Sequence, residues 1–157
     1  MRKPLLLLFP VMLALSGCNF RISTEAPEPL PPAKAGTAAQ TMAVFTAGKD
    51  IVHRIDDGKY DQVWEESSDI MKRTAPKFAM KTTLSSLRKP LGKPSPRGRP
   101  AIGFTDNIDW NLPKGEYAVM EFDSTFGRKV VHEKLVLARE QGTWKLAGYL
   151  ITFPDGT

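Results

Sequence analysis

The 157-residue chain holds one cysteine, Cys18, and two histidines, His53 and His132. A lone thiol excludes an internal disulfide, and two distant histidines without cysteine companions make a poor zinc site, so neither a metal nor a cofactor is expected. Charge of one sign is scarce too, with 22 Lys and Arg against 17 Asp and Glu. Removing Arg2 and Lys3 with an N-terminal signal leaves 20 cations and a balance of +3, too even for a dedicated nucleic-acid surface. Long apolar runs are missing as well. Leu5 to Leu15 is free of charge but contains Pro10 and falls short of the about 20 residues a membrane span requires.

What that run does fit is a cleaved export signal: cations at Arg2 and Lys3, an apolar core, then the small pair Ser16-Gly17 before Cys18. The tetrapeptide Leu15-Ser16-Gly17-Cys18 resembles the lipobox of bacterial lipoproteins, in which the thiol is alkylated by diacylglycerol and the signal is cut just before it. Cys18 is therefore the expected lipidation site and the membrane the first expected partner. A buried CH₂ contributes about 0.8 kcal/mol, so the two or three acyl chains that the resemblance implies make a durable anchor. Asn19, where retention in the inner membrane usually has aspartate, favours an outer-membrane anchor facing the periplasm. The expected organisation is a signal over 1–17, a lipidated tether over 18–36 and one domain over 37–157. Pro27, Pro29, Pro31 and Pro32 deny the tether a helix, and its roughly 17 residues reach about 50 Å when extended.

The domain reads as helices first and strands after. Met42, Phe45, Gly48, Val52 and Ile55 recur at helical spacing between Thr37 and Asp56, and Asp56-Asp57-Gly58 supplies a stop. Tyr60, Val63 and Trp64 give a short second helix. Thr74 is placed to cap a third, with Pro76 in its first turn and Phe78, Lys81, Leu84, Leu87 and Leu91 as its stripe, ending near Gly92. Beyond Lys93 the period is two. Tyr117 to Ser124, Val130 to Arg139 and Thr143 to Phe153 are strands separated by turns at Phe126-Gly127-Arg128 and Glu140-Gln141-Gly142, with a weaker strand within Gly98 to Asn107. In the last strand Trp144, Leu146 and Leu150 alternate against Lys145, Ala147, Tyr149 and Ile151. The fold class is α+β, N-terminal helices packed on a curved antiparallel β-meander.

Asp56-Asp57-Gly58-Lys59-Tyr60 followed by Trp64, then Arg88-Lys89-Pro90-Leu91-Gly92, Gly115-Glu116-Tyr117 and Gly142-Thr143-Trp144-Lys145-Leu146-Ala147-Gly148-Tyr149 resemble the DUF4019 family. These are small bacterial envelope proteins without an assigned function. The resemblance spans roughly Ala39 to Phe153 and implies a cystatin-like or NTF2-like cone. Its motifs are structural: Gly58 and Gly142 suit turns, and Trp64, Tyr117 and Trp144 suit a core.

A cone encloses space between helices and sheet, and Tyr117, Glu133 and Trp144 are the candidate pocket residues. Alternation places Glu133 with Val131, Leu135 and Leu137, where burial would raise its pKa unless an arginine pairs with it. His132 points to the opposite face, so a second acid–base group is missing. Ser67-Ser68-Asp69 lacks the setting of a nucleophile elbow. No catalytic residue is expected. Arg88, Lys89, Lys93, Arg97 and Arg99, interleaved with prolines, form a candidate basic contact loop for anionic lipid heads, peptidoglycan or an acidic protein, or else a solvated connector. The expected role is a non-enzymatic, lipid-anchored binding or assembly module with an envelope or effector protein as partner. The alternatives are an immunity-type lipoprotein that neutralises a periplasmic toxin, and a small-ligand or enzymatic pocket.

Overall fold

The computed structural model describes residues 30, 32–109 and 111–153. Cys18, the expected signal over 1–17 and most of the expected tether lie outside the described residues; at the described end of that tether Lys34 exchanges backbone hydrogen bonds with Phe104. Among the described residues four helices precede four strands: α1 (Ala38–Asp56), α2 (Tyr60–Glu65), α3 (Asp69–Thr74), α4 (Lys77–Arg88), β1 (Ala101–Thr105), β2 (Tyr117–Phe126), β3 (Lys129–Glu140) and β4 (Thr143–Thr152). The strands form one antiparallel sheet in the order β1-β2-β3-β4, a meander with α1, α2 and α4 packed on one face. Fold class and strand order agree with the sequence reading. Among the described residues no helix is long and apolar enough to cross a membrane.

Local chemistry sets the ends of these elements. Thr37 and Gln40 make a reciprocal capping box at the start of α1, the Thr37 hydroxyl accepting from the Gln40 N–H and the Gln40 side chain from the Thr37 N–H. Gly58, at φ 71°, closes α1 by letting the Lys59 N–H reach the Arg54 carbonyl. Gln141 and Gly142 both sit at positive φ in the two-residue loop joining β3 to β4, the type I′ geometry that matches strand twist.

The third helix departs from expectation. Thr74 does not cap it. Ala75 precedes Pro76, is driven to extended geometry at φ −131° and splits the segment into α3 and α4. Thr74 is the last residue of α3, its hydroxyl bonded back to the Ile70 carbonyl at 2.9 Å. Ser68 caps α3 by accepting from the Met71 N–H, and Ser67 donates to the Val63 carbonyl. The stripe differs as well. Phe78 is 80% exposed, whereas Met80, Leu84 and Arg88, four residues apart, face inward.

The core lies between the helices and the inner face of the sheet, around Val44, Val52, Ile55, Val63, Met120, Leu135, Leu137 and Leu146. Gly48 permits α1 to lie against Met120: a Cβ there would stand 2.5 Å from the Met120 sulfur. A second cluster, Ile70, Tyr117 and Ala138, forms where the loop after β1 folds back and Ile108 and Leu112 cover it.

The alternation expected for β4 breaks in the middle. Val136 pairs with Gly148 but Leu137 pairs with Leu146, so Ala147 is an extra residue and the strand bulges. Trp144 and Leu146 face inward before the bulge. After it the inward set shifts, Tyr149 packs against the core and Leu150 is 55% exposed.

Candidate functional site

Two helices carry a charge at the next step of their buried stripes. In α1 Gly48 and Val52 lead four residues on to Asp56, and in α4 Met80 and Leu84 lead to Arg88. Both charges point toward Glu133, whose place in β3 between Val131 and Leu135 leaves it 0% exposed. Arg97 enters from the extended segment between α4 and β1, which is pinned where the Ser95 N–H donates to the Thr125 carbonyl at 2.8 Å.

These four groups form a closed, electrically neutral cluster. The Arg88 guanidinium donates to Glu133 Oε2 at 3.1 Å, to the Tyr149 hydroxyl at 3.2 Å and to Asp56 Oδ1. Arg97 donates to both Asp56 oxygens, at 2.6 and 3.0 Å, to Glu133 Oε1 at 3.0 Å and to Ser124 Oγ at 2.9 Å. Tyr149 donates its hydroxyl proton to Glu133 Oε2, an approach that the β4 bulge makes possible. Aromatic faces complete the surroundings: the Arg88 guanidinium carbon is 4.6 Å from the Phe126 ring centre and that of Arg97 5.5 Å from Phe122. Arg88 Nε has no partner in the described structure.

The protonation states follow from the contacts. Burial, the strongest influence on Glu133, works to raise its pKa. Hydrogen bonding from Ser124 and Tyr149 and the charges of Arg97 and Arg88 together outweigh it and hold the carboxyl below its ordinary value. Burial and the neighbouring Glu133 carboxylate push the Tyr149 phenol upward. Burial works against the Arg97 charge, but Asp56 and Glu133 overcome it and the guanidinium is held more firmly protonated. At neutral pH Glu133 is therefore a carboxylate, Arg97 a guanidinium and Tyr149 a neutral phenol.

The expected pocket of Tyr117, Glu133 and Trp144 does not assemble. Tyr117 pairs across the sheet with Ala138, whereas Glu133 pairs with Phe122, five residues further along β3 and about 17 Å away. Tyr117 also projects to the other face, with Ile70 and Ala138, and its hydroxyl donates to the Pro113 carbonyl. Trp144 packs edge-on against Phe104 with ring centres 6.0 Å apart. Tyr117 and Trp144 do border a common cleft of about 290 Å³ with Gly36 and Gln40, at the other end of the sheet from Glu133.

The basic contact loop is likewise divided. Arg88 is not in a loop: it ends α4 and is 3% exposed. Arg97 faces inward onto Asp56 and Glu133, where the buried Glu133 carboxylate and the part-buried Asp56 carboxylate require compensating charge. Lys89, Lys93 and Arg99 remain exposed. His53 lies on the exposed side of α1, and His132 pairs with Asp123 on the outer sheet face at 2.9 Å. Among the described residues no three His, Cys, Asp or Glu side chains come together as a metal site.

Above the cluster a second cleft, of about 550 Å³, opens between α1 and the segment of residues 93–100, with Asp56 and Arg97 in its wall. Sequence reasoning missed this cleft, together with Asp56, Ser124 and Tyr149 of the cluster. The four-residue steps to Asp56 and Arg88 were the available signal.

No curated protein and no solved structure matches the chain. A family model described as a protein of unknown function, DUF4019, matches residues 47–149, more than half of the sequence, from within α1 to within β4. The match takes in Asp56, Arg88, Arg97, Glu133 and Tyr149, so the whole buried cluster lies within it. The chain belongs to the DUF4019 family.

Proposed function

We propose that the protein is a lipid-anchored binding module of the bacterial envelope, held by Cys18 on the periplasmic side of the outer membrane and acting by binding rather than by turnover. The anchor is supported by the apolar run to Leu15 and the Leu15-Ser16-Gly17-Cys18 motif, and the standoff by the proline-rich tether.

The observation that carries the non-enzymatic reading is the state of Glu133. A general acid or base needs a proton it can exchange with substrate near neutral pH. Glu133 is fully buried, is held ionised against that burial by hydrogen bonds from Ser124 and Tyr149 and by the charges of Arg97 and Arg88, and directs its oxygens at protein donors. The cleft above it offers a surface for ligand in its place.

The test uses the full lipidated protein, purified from membranes and incubated with peptidoglycan, lipopolysaccharide and phospholipid, with products followed by mass spectrometry. The binding reading expects at least one of these, or an envelope protein, to be retained chemically unchanged. Steady turnover of any of them, abolished in Glu133→Gln while the fold persists, would sink it.

A further inference from the structure

Along the exposed side of α1, Met42, Phe45, Lys49 and His53 follow one another at steps of three or four residues, so the face passes from apolar to polar, with the Lys49 cation in its second half. Phe45, Lys49 and His53 line the cleft above the buried cluster, and Lys93 faces them from the extended segment. The apolar floor is Val52, Met120 and Phe122, side chains almost wholly buried yet bordering the cleft. Its volume of about 550 Å³ falls within the roughly 300–1,000 Å³ of small-molecule sites.

The charges in this cleft are not equally available. Asp56 accepts from both guanidiniums, and Asp57 accepts from Lys59 at 2.9 Å. The Arg97 donors are all directed at Asp56, Glu133 and Ser124. Lys49 and Lys93, by contrast, have no ion-pair partner among the described residues. Asp56 and Asp57 are therefore hydrogen-bonded from within the protein, Asp57 also feeling the nearby Lys93 charge, and Lys49 and Lys93 are the lysines of the cleft left without an ion pair among the described residues.

We infer that this cleft binds a single-chain anionic amphiphile, with the alkyl chain on Phe45, Met120 and Phe122 and the acidic head between Lys49 and Lys93. The order of the groups along α1 fixes the orientation: tail toward Met42, head toward His53. An alkyl chain leaves water to cover the exposed Phe45 ring over a floor that is already dry, and the head meets two lysines that no carboxylate pairs among the described residues. The inference rests on the binding-module reading above and names the ligand class for it.

The experiment places the full lipidated protein in phosphatidylcholine nanodiscs and photolabels it with a diazirine-bearing dodecanoate, beside the matching dodecylamine probe. The acid probe is expected to label peptides containing Phe45, Met120 or Phe122, with the label displaced by decanoate and left in place by inorganic phosphate. The double variant Lys49→Glu/Lys93→Glu changes two exposed side chains, and its thermal melt reports that the fold is kept. It should lower labelling by the acid probe about tenfold and raise labelling by the amine probe. Equal labelling by both probes, label scattered over the surface, or an unaltered acid-to-amine preference in the variant overturns the inference. So does association confined to phosphatidylglycerol vesicles without cleft labelling, the mark of a bilayer contact. If an envelope polymer is retained unchanged while the cleft stays unlabelled, this inference alone fails. Turnover by a protein whose cleft is labelled removes the non-enzymatic reading and leaves the ligand assignment standing.

Discussion

Replacing Glu133 by Gln keeps the shape of the side chain and removes one charge from a site that water does not reach. Arg88 and Arg97 then face Asp56 alone, with one buried positive charge uncompensated, and an amide that can donate stands where Tyr149 also donates. Breaking a buried ion pair by neutralising one partner costs about 3–5 kcal/mol, most of it the stranded charge. Against the roughly 5–15 kcal/mol total of an ordinary domain this is a large fraction, and the melting temperature should fall by about 10 °C or more. Urea unfolding followed by tryptophan fluorescence reads the loss as a lower midpoint at unchanged slope. Adding Arg88→Met to Glu133→Gln should cost less than the two single changes summed, by more than about 1 kcal/mol, because each removes a charge the other leaves unpaired. A Glu133→Gln loss below about 1 kcal/mol, or simple additivity in the double variant, would refute the charge-cluster argument. The acid limb gives a second reading. Glu133 in the folded protein has a pKa below that of the unfolded chain, so its contribution is complete above the ordinary glutamate value and is lost as pH falls through the folded value. Glu133→Gln should show a shallower decline of stability below about pH 4.5.

Other outcomes follow from the same contacts. The chain has three tyrosines, and burial is the first cause raising the pKa of each, Tyr60, Tyr117 and Tyr149. Phenolate absorbance of the native protein should therefore lag that of the urea-unfolded protein on alkaline titration, with Tyr149 last; coincident curves would contradict the packing. Because these folded pKa values lie above the unfolded ones, the associated stability is intact below about pH 10 and declines as pH rises past it, and Tyr149→Phe should weaken that decline. Gly48→Val drives new atoms into the Met120 sulfur and should destabilise by about 1–3 kcal/mol in urea unfolding, with Met120→Ala restoring part of the loss. No recovery in the double variant would mean that the close approach of α1 to β2 is not the cause.

Much of the fold was legible because periodicity reports burial. The alternation of Val131, Glu133, Leu135 and Leu137 put Glu133 on the inner face, and the structure leaves it fully buried there. The turn at Gln141-Gly142 and the α1 stop at Gly58 were legible from residue type, since few residues tolerate positive φ. Two features were not. The bulge at Ala147 leaves no composition signal, yet it decides whether Tyr149 or Leu150 faces the core. The cluster joins residues 32, 36, 41 and 45 positions apart, and neither periodicity nor spacing announces a pairing at that range. Asp56 and Arg88 were nevertheless exposed to inference, as opposite charges that continue two apolar stripes. The stripe read through Phe78 and Leu87 hid Arg88, and Asp56 was taken for a helix stop alone.

The anchor proposed at Cys18 has a direct test. Cells expressing the wild-type chain and Cys18→Ser are labelled with tritiated palmitate, and their envelopes are separated into inner and outer membranes. The account predicts label on the wild-type protein, sedimentation with the outer membrane, and loss of both in Cys18→Ser. Wild-type protein that takes up no label and appears in the soluble fraction contradicts the membrane-anchored module directly.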